Sequence, residues 1–124
     1  CGSDSDDTTN PFEVRLGKYI DLDVADDVVG IKALRLIKAQ GPKRHQLGLA
    51  LEGNIADPLS FHWEDIVVDG KKVGDMTQCV WSPRLQRNIG YALISCGCKV
   101  GDSVTLLRSA GREVKASLVN LPFL

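Results

Sequence analysis

The sequence predicts a mainly β fold, a small antiparallel β-barrel of Greek-key type with about six strands and one amphipathic helix on its N-terminal side. Three observations lead to this prediction. The hydrophobic period changes after Pro42 from that of a helix to the alternation of strands. Asp69-Gly70 is a strong hairpin signal, because both residues tolerate a positive φ. Short strand patterns then fill residues 44–124, which favours a closed or nearly closed barrel.

The chain before the barrel divides into two parts. Residues 1–9 are polar and carry no hydrophobic period, so we expect a disordered or unanchored end. Residues 10–43 are expected to form a linker that contains the helix. The barrel domain then occupies residues 44–124.

The helix is predicted over residues 27–40, with Asp26 or Asp27 as its N-cap and with Gly41 and Pro42 ending it. We expect it to pack on the outside of the barrel. Its period assigns an apolar face to Ile31, Ala33, Leu34 and Ile37, and a solvated basic face to Lys32, Arg35 and Lys38.

The first strand is indicated by the alternation of Leu47, Leu49 and Leu51 with more polar neighbours. A second turn is expected at Ala110-Gly111. The remaining strands are predicted at Ile66–Val68, Val73–Trp81, Ile89–Ser95, Val104–Arg108 and Val114–Asn120.

Composition excludes several classes of function. The 124 residues are 44% hydrophobic and 25% charged with a formal net charge of -1, which is typical of one soluble domain and disfavours a nucleic-acid or membrane partner. No secretory signal or spanning segment is recognisable, so a cytoplasmic location is expected. The four cysteines are Cys1, Cys79, Cys96 and Cys98, and their spacing does not predict a metal site. An even count permits disulfides, but the absence of a secretory signal favours free thiols in a reducing compartment.

No catalytic residue is predicted. His45 and His62 lack a nucleophile in a recognisable turn, and no glycine-rich phosphate loop is present. Glu64 and Asp65 are neighbours on a strand, so their side chains should point to opposite faces and cannot act as a carboxylate pair.

The segment from Trp81 to Arg87 is the one candidate binding element. An aromatic residue followed by two guanidinium groups, those of Arg84 and Arg87, is suited to a planar, carboxylated ligand. A purely structural interpretation is the commoner one: Pro83 ends a strand, Trp81 packs in the barrel and both arginines are solvated. The residues alone leave both interpretations open.

Several motifs occur in an order and spacing that span residues 10–124. They are Asn10–Gly17, Ile20–Asp23, Gly41–Arg44, Asp69-Gly70 with Val73-Gly74, Ser82–Leu85, Asn88–Gly90 and Leu121–Phe123. Together they resemble the C-terminal end of the glycine cleavage T-protein family, which contains aminomethyltransferases and related folate-dependent demethylases. Residues 2–11 resemble the stretch before the linker of that family, so the chain looks cut from a longer protein.

The sequence departs from the family pattern in three places. Arg15 stands where a small residue, usually glycine, is expected, and Cys79 replaces the glycine of a Thr-Ser-Gly stretch. Residues 55–64 lack the usual arrangement of Arg, Gly and Pro. These departures favour the demethylase branch, such as the dimethylsulfoniopropionate demethylases.

The resemblance implies a parent protein that uses tetrahydrofolate, held mainly by an N-terminal domain that this chain lacks. The barrel would complete the folate pocket through Trp81, Arg84 and Arg87, and it would have neither catalysis nor a cofactor of its own. The missing domain is then its natural partner. The alternative is an independent protein from a truncated transferase gene, which binds another ligand or self-associates, for example as a homodimer.

Overall fold

The computed structural model describes residues 3–53, 63–108 and 111–123. It contains six β-strands, one α-helix and one short 3-10 helix at Gly17–Tyr19. The strands all lie after the helix, as the sequence predicts. The bounds are α1 Ile31–Gln40, β1 Arg44–Leu51, β2 Glu64–Val68, β3 Lys71–Ser82, β4 Arg87–Ser95, β5 Ser103–Arg108 and β6 Arg112–Val119.

The six strands form a closed antiparallel barrel in the order β1-β4-β3-β2-β5-β6. Closure results from β1, which pairs with β4 along one edge and with β6 along the other. Because β2, β3 and β4 are consecutive neighbours and β1 lies beside β4, the connectivity is of Greek-key type. The predicted fold class is therefore confirmed.

The interior is filled by alternate residues of every strand. Leu49 is fully buried, and it is paired with Gly90 of β4 and Leu118 of β6. A side chain on Gly90 would be placed 2.5 Å from the Gln78 carbonyl oxygen, so glycine lets the strands approach closely at this point. The buried cluster also includes Leu51, Ile66, Met76, Cys79, Ala92, Ile94, Val104, Leu106, Val114, Ala116 and Leu118.

The turn predicted between the second and third strands is present. Asp69 and Gly70 separate β2 from β3 and have φ values of 51° and 75°. Two successive positive φ values match the twist of a two-residue hairpin. The turn predicted at Ala110-Gly111 lies partly outside the described residues, since only Gly111 is described, with a φ of 73°.

The helix begins later than predicted, and the predicted N-cap is wrong. Its N-cap is Gly30, which has a φ of 82° and makes no side-chain capping bond. A positive φ at Gly30 interrupts the helical path that the period suggests from residue 27. Asp26 instead forms an ion pair with Arg35 at 2.5 Å.

The helix is also less buried than its period predicts. Only Ile31 is buried, Ala33 is exposed, and the contacts of α1 with the strands are sparse. Arg35, predicted on the solvated face, donates hydrogen bonds to the carbonyl oxygens of Leu22 and Val24. The helix is thus tied to the preceding loop by Arg35 more than to the barrel by its apolar face.

The N-terminal linker is fastened to the outside of β1 by a buried carboxylate. Glu13 is 4% exposed, and its two oxygens accept bonds from Arg44 Nε at 3.0 Å and Nη2 at 3.1 Å. Its carbonyl oxygen accepts a bond from the Gln46 backbone at 2.8 Å. A two-bond guanidinium contact of this kind holds the linker in one orientation.

Candidate functional site

Strands β3 and β4 form a hairpin that carries all three residues of the candidate binding element. Trp81 is paired with Asn88, and Ser82 with Arg87, at the end of the ladder. The turn between them is held by the Ser82 hydroxyl, which accepts a bond from the Leu85 backbone N–H at 3.3 Å. The hairpin therefore presents Trp81 and Arg87 on adjacent strands at one rim of the barrel.

Trp81 and Arg87 line the same hollow, which has a volume of about 530 Å³. The indole is 38% exposed, so it lies at the rim and leaves a ring surface open to a ligand. Arg84 is also exposed, but it is on the turn and does not line this hollow. The other lining residues are Ala50, Leu51, Glu52, Gly53, Gln86, Ser117 and Val119.

These positions bear on the binding and the structural interpretation of the segment from Trp81 to Arg87. Trp81 is not enclosed in the core, because the buried set of the barrel ends at Cys79 on this strand. Both arginines are exposed, as the structural interpretation expects, and within the described residues neither forms an ion pair. A solvated Arg87 beside an open indole can receive an anionic group without losing a partner.

A buried amide lies beside this rim. Asn88 is fully buried, and its Nδ2 donates to the Gly53 carbonyl oxygen at 3.5 Å, while its Oδ1 has no hydrogen-bond partner among the described residues. Glu52 and Gln86 are further polar residues of the hollow that sequence analysis missed. Both come from loop positions that have no periodic signal.

Sequence analysis also missed a buried ion pair inside the barrel. Arg108 Nε lies 3.1 Å and 3.3 Å from the two Glu64 oxygens, and the side chains are 9% and 6% exposed. Asp65 points outward and contacts Lys72 at 2.7 Å, so the prediction that Glu64 and Asp65 face opposite sides is confirmed. Burial raises the pKa of the nearby Cys79 thiol, an effect that Arg108 only partly offsets.

One histidine and two cysteines lie at the opposite rim, namely His45, Cys96 and Cys98. His45 Nδ1 lies 3.4 Å from Cys96 Sγ, and Cys98 is partly buried against the core. Cys79, Cys96 and Cys98 are free thiols, and Cys1 and His62 lie outside the described residues. No group of three or more His, Cys, Asp or Glu side chains in residues 3–53, 63–108 and 111–123 is arranged to hold a metal ion.

Helix length gives one further negative finding. In the part of the chain that the structure describes, no helix has the length and apolar character required to cross a membrane.

The backbone conformation of Arg15 explains why glycine is usual at this position of the family. Its φ is 63°, in the left-handed region that favours glycine. Its side chain donates a bond to the Leu121 carbonyl oxygen at 3.0 Å. The departure from the family pattern at Arg15 thus adds a link between linker and C-terminal segment.

Two of the curated proteins that are similar to this chain are aminomethyltransferases. The chain is 34% identical over 122 residues to the aminomethyltransferase of Thermotoga sp. (strain RQ2), covering 98% of the chain and 32% of that protein. It is 36% identical over 123 residues to the aminomethyltransferase of Clostridium botulinum (strain Loch Maree / Type A3), with 98% and 32% covered. The chain therefore spans about a third of the length of the relatives it matches.

A solved structure has the same fold. The glycine cleavage system aminomethyltransferase T of Bartonella henselae superposes with a TM-score of 0.82 at 20% identity, over 99% of this chain and 34% of that one. The family model described as the glycine cleavage T-protein C-terminal barrel domain matches residues 44–124. The barrel strands β1 to β6 lie within this range. The chain therefore belongs to the glycine cleavage T-protein C-terminal barrel family.

Proposed function

We propose that this chain is the C-terminal barrel of a tetrahydrofolate-dependent one-carbon transferase, in which it completes the folate pocket and does not catalyse transfer alone. The observation that carries the proposal is the hollow shared by Trp81 and Arg87. Support also comes from relatives named aminomethyltransferases, of which the chain matches about a third.

The hollow suits the two ends of a folate. A pterin is a flat aromatic ring that can stack on the open indole of Trp81, and the glutamate tail carries carboxylates that Arg87 can bind. Stacking contributes about 0.5–1.5 kcal/mol and an exposed ion pair about 0–1 kcal/mol. Association costs roughly 4 kcal/mol or more, so these contacts give little affinity without a second wall.

A second domain is supported by the surface of the linker and helix. Val29 is 97% exposed and Tyr19 is 72% exposed, and Leu16, Val28 and Leu36 are each about half exposed. Apolar side chains clustered in one stretch of chain mark a surface that another domain covers. We propose that the folate-binding part of the parent protein packs here.

The test is a chimera in which this chain replaces the matching third of the Thermotoga sp. (strain RQ2) aminomethyltransferase. Calorimetric titration with tetrahydrofolate should give about tenfold weaker binding for Trp81→Ala and about fivefold weaker binding for Arg87→Ala, which are the upper ends of the stacking and ion-pair contributions. Arg84→Ala is the matched control, because it removes the same charge outside the hollow. Its affinity should stay within about twofold of the parent.

Three results would contradict the proposal. One is equal weakening by Arg84→Ala and Arg87→Ala, and another is unchanged affinity in all three variants. The third is micromolar binding or one-carbon transfer by the isolated chain, which would place the site within the barrel itself. A stable homodimer that hides Val29 and Tyr19 would favour the alternative, a self-associating protein.

The donor of the one-carbon unit and the cytoplasmic location stay predictions. Of the departures that favour a dimethylsulfoniopropionate demethylase, Arg15 lies on the linker and Cys79 lies in the core. Transfer assays of the chimera would report the donor preference of its Thermotoga part. Only the parent protein can therefore decide between an aminomethyl and a methyl donor.

A further inference from the structure

A cluster of one histidine and two cysteines lies at the rim opposite to Trp81. His45 is near the start of β1, and Cys96 follows the end of β4, so the antiparallel pairing of these strands brings them together across 51 residues of sequence. Cys98 is held on the same turn by its backbone N–H, which donates to the Ser95 carbonyl oxygen at 2.9 Å. Two thiols and one imidazole therefore lie at this rim, away from the hollow of Trp81 and Arg87.

The two thiols differ in their surroundings. Cys96 is exposed, and its Sγ lies 3.4 Å from His45 Nδ1 and 3.2 Å from the Pro42 carbonyl oxygen. Cys98 is partly buried against the core, where burial and then Asp102 raise the pKa of its thiol. Cys96 is thus accessible to an electrophile and within reach of the His45 imidazole, whereas Cys98 is shielded and its pKa is raised.

We propose that Cys96 is a peroxide-sensitive thiol, that His45 is its general base, and that Cys98 resolves the oxidised product to a Cys96–Cys98 disulfide. Cys96 and Cys98 are two residues apart in the chain. Their Cα atoms are therefore separated by at most roughly 7 Å, the distance in a fully extended chain. That limit is close to the upper range of Cα distances in disulfides, and a turn shortens it.

The chemistry balances with a hydroperoxide as the oxidant. The Cys96 thiol proton passes to His45 Nδ1, the sulfur attacks one peroxide oxygen, and an S–O bond forms while the O–O bond breaks. The leaving oxygen takes the proton from His45 and departs as water or an alcohol. Cys98 sulfur then attacks Cys96 sulfur, the S–O bond breaks, and hydroxide leaves with the Cys98 proton as a second water. Two thiols lose two electrons, which the peroxide gains.

The sequence makes the product simple to locate. Cleavage after lysine and arginine releases residues 88–99, which contain Cys96 and Cys98, and residues 73–84, which contain Cys79. The intact chain is treated with hydrogen peroxide and mapped by mass spectrometry. We expect peptide 88–99 to lose two hydrogens in mass, reversibly with dithiothreitol, while peptide 73–84 is unchanged.

Variants assign the roles. In Cys98→Ser, Cys96 should remain a sulfenic acid that dimedone traps, and in Cys96→Ser neither product should form. His45→Asn should slow oxidation roughly tenfold, less than the roughly 10²–10⁴-fold typical of general acid–base catalysis, because Cys96 is exposed to solvent. Lys43→Ala, which removes a neighbouring exposed charge, should oxidise at the parent rate.

The thermal midpoint of each variant separates chemistry from unfolding. Parent-like oxidation in a folded His45→Asn variant would overturn the role of His45. A dimedone adduct on Cys98 in Cys96→Ser would reverse the order of the thiols and refute the assignment. Equal oxidation of Cys79 and Cys96 would show that the cluster has no special reactivity.

Discussion

Replacing Glu64 by glutamine should strongly destabilise the barrel. The substitution leaves the Arg108 guanidinium without its carboxylate in a site where the two side chains are 9% and 6% exposed. Breaking a buried pair by removing one partner costs about 3–5 kcal/mol. A domain of 124 residues has a total stability of roughly 6–19 kcal/mol at ordinary values per residue. Glu64→Gln should thus remove a large part of the total and lower the melting temperature by about 10–20 °C.

Urea unfolding followed by circular dichroism measures this loss as a shift of midpoint at constant slope. Asp65→Asn is the matched control, since Asp65 is half exposed and its ion pair with Lys72 should contribute less than about 1 kcal/mol. The double variant Glu64→Met with Arg108→Met should recover most of the loss, because no unpaired charge remains buried. A Glu64→Gln midpoint equal to that of Asp65→Asn would refute the argument.

Three further predictions concern the barrel. Leu49→Asp should unfold the domain, because an unpaired charge enters the core, whereas Lys32→Ala should stay within about 0.5 kcal/mol; equal melting temperatures would contradict this. Gly74→Ala should cost about 1–3 kcal/mol in urea unfolding, since a Cβ would lie 2.5 Å from a backbone oxygen of β4; an unchanged midpoint would show that the strands can separate. Hydrogen bonds to two aspartates raise the pKa of Lys72 above its ordinary value of 10.5. The stability that these bonds contribute is fully present below pH 10.5 and is lost as the pH rises through the raised pKa of Lys72. Lys72→Met should therefore cost less than about 1 kcal/mol near neutral pH. In a series of unfolding measurements at rising pH, the variant should lose less stability at alkaline pH than the parent.

The strands were predictable because their signal is local. Alternation placed Leu49 inside, and two residues that tolerate a positive φ placed the hairpin at Asp69-Gly70. The helix start was mispredicted at Asp26 or Asp27 because periodicity does not report backbone conformation, and Gly30 adopts a left-handed φ just before the first helical turn. The proximity of Trp81 and Arg87 was also predictable, since both residues lie on one hairpin and are close in the sequence.

The sequence by itself determined the family, through motifs in a shared order. It also determined the approximate positions of the strands and the inward side of the first, because these depend on side-chain type at a spacing of two residues. Only the tertiary structure decided which distant residues meet. Closure between β1 and β6 brings Ser117 to the hollow of Trp81, the β1–β4 register sets His45 beside Cys96, and the β2–β5 pairing buries Glu64 against Arg108. The His45–Cys96 contact joins residues 51 positions apart, and the β1–β6 pairing of Gly48 with Val119 joins residues that are farther apart still. They depend on long-range register, to which a local period contributes no information.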